Sequence, residues 1–151
     1  MSDIKVRKPK NPFKEGPIKP MFIAEAIEKH QHKLTIGAHD IFLGQVREDI
    51  IDDKPVVGIE YTAYEDMAIE EMHKIREDVF EKFDLTCMHI YHSLGLVKVG
   101  ELCLFVFVSA PRRKTVFEAL QYTVEAIKNK VPIFGKELFE DQSYVWKENT
   151  K

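Results

Sequence analysis

Cysteine is scarce in this chain: Cys87 and Cys103 are the only two among 151 residues, and neither stands in a CxxC or His-rich metal-ligand spacing. Two thiols set in apolar runs read as buried free cysteines, not as a disulfide framework, and they fit a reducing cytoplasm. The six histidines (30, 32, 39, 73, 89 and 92) show neither HExxH nor paired spacing, so no metal site is expected. GxGxxG, Walker and GxSxG segments are also missing, and no cofactor is expected. No uncharged apolar run reaches about 18 residues, which excludes a membrane-spanning helix. The opening MSDIKVRKPKNPFKEG has no apolar stretch of the kind a secretory signal needs. A basic excess is lacking too: 22 Lys and Arg face 25 Asp and Glu, a net charge of −3. That balance argues against a general nucleic-acid binder.

What is present suits one compact domain, since 44% of the residues are hydrophobic and a chain of this length can bury a core. Residues 1–20 carry Lys5, Arg7, Lys8, Lys10, Lys14 and Lys19 with prolines at 9, 12, 17 and 20. They read as an extended basic arm with a short strand near Ile4–Arg7, ahead of a single domain over 21–151. Pro20 opens a helix with Phe22, Ile23, Ala26 and Ile27 on one face. Strands follow at about 36–47 and 55–64, with the acidic EDIIDDK between them read as a mobile turn-rich loop. Met67, Ala68, Met72, Ile75, Val79 and Phe83 recur at helical spacing over about 65–83. Two more strands, Leu85–His92 and Glu101–Ser109, flank SLGLVKVG, and the second is apolar enough for a doubly covered central strand. A helix over 111–130 and a short edge strand around Tyr144–Trp146 complete an α+β reading with a mostly antiparallel sheet.

The stretch 109–137, SAPRRKTVFEALQYTVEAIKNKVPIFGKE, holds the most chemistry. Arg112, Arg113 and Lys114 crowd a helix start, where the macrodipole disfavours cations and free N–H groups can hold an anion. A phosphate or carboxylate ligand would offset that cost. Lys128 near the other end is electrostatically welcome and by pattern alone is an ordinary cap cation. Fifteen residues of helix separate Arg113 from Lys128 by about 22 Å, so one helix cannot bring both to one small anion. Either the two ends serve different ligands or they meet across a symmetric dimer. Pro132 ends the helix, and VPIFGKE reads as a turn in which Gly135 gives backbone freedom and Lys136 can point back toward Lys128. Arg47, at a strand end before the acidic loop, reads equally as a binding residue and as an ion-pair partner of Glu48 or Asp49. Any catalysis would then rest on lysine and arginine.

Five segments in order, FLGQVRE (42–48), IEYTAYEDMA (59–68), YHSLGLVKVGE (91–101), SAPRRKTVFEAL (109–120) and IKNKVPIFGKELFED (127–141), resemble the large, catalytic subunit of molybdopterin synthase, the MoaE family. The resemblance covers about 30–147. It implies an α/β hammerhead-type fold with three main helices and a homodimer. Each large subunit would bind one small ubiquitin-like sulfur carrier ending in a Gly-Gly thiocarboxylate, giving a heterotetramer. The implied reaction transfers two sulfurs to cyclic pyranopterin monophosphate to form the molybdopterin dithiolene.

Carried over residue by residue, the resemblance assigns Lys128 and Lys136 as catalytic. It assigns Gln45, Val46, Arg47, Arg112, Arg113, Lys128, Gly135, Lys136 and Glu137 to substrate binding, with Arg113 and Lys128 supplied by different subunits. Two positions depart from the family pattern. Arg112 replaces the usual histidine, keeping charge without a titratable imidazole. Gly135 stands where the family has a lysine, and Lys136 is the expected substitute if the glycine lets the turn reorient. The other function classes open to these residues are a non-catalytic anion- or nucleotide-binding module and a carrier-binding scaffold that has lost turnover.

Overall fold

The structure, a computed structural model, describes residues 9–148; the strand expected near Ile4–Arg7 lies outside them. Eleven elements follow in chain order: β1 (Phe13–Glu15), α1 (Pro20–His30), β2 (Ala38–Gln45), β3 (Ile50–Ile51), β4 (Lys54–Ala63), α2 (Glu65–Lys82), β5 (Cys87–Lys98), β6 (Leu102–Ala110), α3 (Arg113–Lys130), β7 (Ile133–Phe139) and β8 (Tyr144–Trp146). The sheet runs β2-β6-β5-β4-β7-β8, with β1 beside β5 and β3 beside β4. All pairings are antiparallel except β1 on β5. Three helices on a mostly antiparallel sheet are the α+β architecture the residue pattern implies. Among the described residues no helix is long and apolar enough to cross a membrane.

β6 explains the two-sided core. Eight of its nine residues are buried, because its side chains alternate between two covered faces. Leu104, Val106 and Val108 join Ala68, Met72, Ile75 and Val79 of α2 and Val116, Ala119 and Ile127 of α3. Phe105 and Phe107 go to the other face and pack with Ile18 and with Ile23 of α1. Phe22 of α1 meets Tyr91 and Phe105 edge-on, at 4.8 and 6.1 Å between ring centroids. The segment before α1 is part of this assembly: β1 pairs with His92–Leu94 and Ile18 bridges Leu102.

Three local expectations give way to strand pairing. SLGLVKVG does not separate strands: β5 continues to Lys98 and exchanges partners along its length. It pairs with β1 through Leu94 and with β4 from Gly95 onward. Gly95 sits at φ 82° there, where a side chain is strained. EDIIDDK forms a β-hairpin, with Asp52 and Asp53 both at positive φ (50° and 63°) between β3 and β4, the requirement of a type I′ turn. VPIFGKE is a strand and not a turn. After the break at Pro132, β7 pairs along β4 from Ile133–Ala63 to Phe139–Val56.

Candidate anion and sulfur-transfer site

β2 delivers Gln45, Val46 and Arg47 to the end of the sheet. Val46 is buried and its backbone is fixed on both sides, accepting from Gly100 N at 2.8 Å and donating to Glu101 O at 2.9 Å. The following Arg47 side chain points outward, 73% exposed, with Nε 2.6 Å from Asp49 Oδ1. The hydrogen bond from Arg47 holds the Asp49 carboxyl below its ordinary range, and the same bond raises the guanidinium. An exposed pair of this kind stabilises the fold little. Arg47 can exchange its carboxylate for a phosphate at small cost.

β7 brings Glu137 to the same place. Strand alternation turns Gly135, Glu137 and Phe139 inward. Glu137 is 5% exposed and pairs with Lys147 Nζ at 3.2 Å. Lys147 also lies 4.0 Å from Asp49, and its backbone N–H donates to Gly135 O at 2.8 Å. Arg47, Asp49, Lys147 and Glu137 are thus one charged cluster drawn from three segments of chain. Lys147 was not foreseen in the sequence, since only the β7–β8 register places it there.

A less polar line of contacts leads from this cluster toward α3. Gly135 faces Tyr61 across the β4–β7 pairing, and Tyr61 packs edge-on against His92 at 5.0 Å. Burial pushes the Tyr61 hydroxyl up, and Cys103 and Glu137 push the same way. His92 is 3% exposed, its Nδ1 2.7 Å from Ser93 O. Burial lowers it to about 4, and the positive charge of Lys128 adds to the shift. The charge of Lys128, which is exposed in the last turn of α3, thus acts electrostatically on the buried imidazole. Neither Tyr61 nor His92 was singled out from sequence, although both lie within the quoted family segments.

Lys136 goes elsewhere. It projects from the opposite side of β7 from Gly135, and its ammonium lies 4.6 Å from the Tyr144 ring centroid and 5.1 Å from that of Trp146. The turn that was to reorient it does not exist, because β7 is regular strand here. Gly135 has a packing reason to be glycine: a Cβ there would stand 2.8 Å from Ile59 Cγ2.

Arg112 and Arg113 are exposed at the start of α3, with Arg112 in the N-cap position and no side-chain cap on the free N–H groups. Their distance from Lys128, about 22 Å of helix, puts them outside the Arg47–Lys128 region of the same chain. Gln45, Val46, Arg47, Gly135 and Glu137 lie around the end of β2 and the inward side of β7, while Lys136 lies on the opposite side of β7 and Lys128 at the end of α3.

The protein-family model described as "MoaE protein" matches residues 15–130. The molybdopterin synthase catalytic subunit of Bacillus subtilis is 39% identical over 117 residues, 78% of this chain and 74% of that protein. The protein of that name from Drosophila grimshawi is 40% identical over 126 residues, and the chain spans only 34% of its length. The crystal structure of molybdopterin synthase from Staphylococcus aureus superposes with a TM-score of 0.78 at 29% identity, over 91% of this chain and 96% of that one. Fold and sequence similarity agree: the chain belongs to the MoaE family.

Proposed function

We propose that this chain is the catalytic subunit of a molybdopterin synthase. It would act as a sulfurtransferase, moving sulfur from a thiocarboxylated carrier to cyclic pyranopterin monophosphate. The observation that carries this reading is the charged cluster of Arg47, Asp49, Lys147 and Glu137, with Tyr61 opposite Gly135 and edge-on to a buried His92 on which the charge of Lys128 acts. It sets an exchangeable arginine and a lysine that acts on a neutral imidazole in one chain. The relatives' name, molybdopterin synthase catalytic subunit, supports the coarser reading of an enzyme that makes molybdopterin.

In this reading Arg47 gives up Asp49 to hold the substrate phosphate, with Gln45 and Val46 beside it. Glu137 and Lys147 fix the floor of that pocket. Arg112 and Arg113 come from the second subunit of a homodimer, where the free N–H groups of α3 add to their charge. The carrier's C-terminal Gly-Gly brings the sulfur into the pocket, so neither Cys87 nor Cys103 acts as a nucleophile. Each transfer forms one carbon–sulfur bond as an oxygen substituent leaves that substrate carbon, and breaks the acyl–sulfur bond of one carrier, whose acyl group water converts to a carboxylate, so two carriers serve each dithiolene. Lys128 moves the protons or forms the transient covalent bond at the carbon under attack. Lys136 has an auxiliary role that requires it to leave the Tyr144 and Trp146 rings.

Gly135 favours a second reading, a carrier-binding scaffold without turnover, because the family's second lysine is missing at that position. The decisive experiment mixes the protein with a thiocarboxylated carrier and cyclic pyranopterin monophosphate and assays molybdopterin. Product from the wild-type chain, abolished in Lys128→Ala and reduced in Lys136→Ala, is the expected outcome. Carrier binding with no product would establish the scaffold instead. Unchanged product in Lys136→Ala would remove Lys136 from the mechanism.

A further inference from the structure

Local spacing gave no sign of a metal site, but the fold joins residues that are far apart in sequence. His30 ends α1, and Cys87 and His89 stand two residues apart on one side of β5. One ring nitrogen of each histidine and Cys87 Sγ all lie within 4.8 Å of one another. All three come from the α1 face of the sheet, against Phe107, whose ring centroid is 5.0 Å from that of His30. The sulfur-transfer mechanism uses none of them.

The hydrogen bonds prepare the ligand atoms. His30 Nδ1 lies 2.7 Å from Ala26 O, so the Nδ1–H donates to that carbonyl and the Nε2 lone pair faces inward. A backbone carbonyl fixing the far nitrogen of a histidine is the usual support for a metal-bound imidazole. The inward Nε2 stands 2.8 Å from Nε2 of His89, an arrangement in which one proton serves two nitrogens. Cys87 Sγ, buried, accepts from the Lys33 ammonium at 2.8 Å. Lys33 is an exposed residue after α1 and can swing into solvent. His89 also lines a cavity of about 540 Å³ between α2, β5 and residues 10–12.

We propose that His30, Cys87 and His89 bind one zinc ion through Nε2, Sγ and Nε2, with water from the cavity as fourth ligand. Two imidazoles and one thiolate are a zinc donor set, and bond lengths of about 2.0–2.3 Å need ligand atoms roughly 3.5 Å apart. The two imidazoles open slightly and the sulfur closes in. The thiol proton leaves to solvent, His89 carries its proton on Nδ1, and the Lys33 ammonium withdraws from the metal. The bound ion then ties the end of α1 to β5.

The test uses the full-length reduced chain, stripped of metal and titrated with Co²⁺ as a coloured stand-in for Zn²⁺. One equivalent should give tetrahedral d–d bands and a thiolate-to-cobalt charge-transfer band, both displaced by Zn²⁺. Cys87→Ser should lose the charge-transfer band and Cys103→Ser should keep it, while His89→Gln weakens binding by about tenfold or more. Lys33→Met, an exposed change that leaves the core intact, should bind more tightly than wild type. Absence of the band in the wild-type chain, its survival in Cys87→Ser, or weaker binding by Lys33→Met would each overturn the proposal. Binding of Cu⁺ with no response to Co²⁺ or Zn²⁺ would overturn the assignment to zinc.

Discussion

At Arg47 the energetics of an exposed ion pair and the needs of a binding site point the same way. With the guanidinium 73% exposed, solvent screening leaves its bond to Asp49 contributing little to stability. Asp49→Ala should therefore shift the urea midpoint little, whereas Arg47→Ala should lower kcat/KM by about 10²–10³-fold, the usual loss when a charge-stabilising donor is removed. Equal losses of stability and activity in Arg47→Ala would make it structural. His92 gives a second prediction at this scale. Its ordinary value is 6.5 and burial lowers it to about 4 in the folded chain, so the unfolded chain takes up the proton first as pH falls. The stability that the neutral imidazole provides is complete above pH 6.5 and drains away between 6.5 and 4. His89, lowered to about 4 chiefly by its burial, acts in the same sense. Urea unfolding with a chelator present should show this decline, and His92→Gln should flatten part of it. An unchanged slope in that variant would mean the imidazole is not held neutral.

Among the elements, α2 and α3 make a contrast. Both have eighteen residues, but α2 opens with Glu65 and Asp66 and α3 opens with Arg113 and no acid in its first turn. The first arrangement satisfies the macrodipole and the second opposes it. Arg112→Asp would cap the free N–H groups and should raise stability by about 1 kcal/mol while raising KM for the phosphate-bearing substrate. A variant that is both more stable and fully active would remove the anion site from this helix end. How much each element could be read in advance follows from the range of the interactions that form it. The helices and β6 were legible because their periodicity is local: Met72, Ile75 and Val79 define the α2 stripe by themselves. β7 was not, because Pro132 and Gly135 are turn residues locally and only pairing with β4 makes the segment a strand. The site divides in the same way. Arg47, Arg113 and Lys128 were visible as cations at element ends or through family segments. Lys147 and the His30–Cys87–His89 group depend on registers that no local pattern records.

Taken whole, the molecule is a sheet with α1 on one face and α2 and α3 on the other. The proposed chemistry lies toward the β4–β7 side and the proposed metal clamp on the α1 face. The rigid length of α3 is the constraint that organises the account, since its two cationic ends cannot serve one substrate within a single chain. Across two chains the two ends can serve one substrate, and subunit mixing checks this. Arg113→Ala and Lys128→Ala chains, each inactive alone, are unfolded together, refolded and assayed for molybdopterin with thiocarboxylated carrier. Random pairing makes half the dimers hybrids, each with one intact site, so about a quarter of wild-type activity should return. If the mixture stays as inactive as its parents, although hybrids form, Arg113 and Lys128 do not share a site between subunits.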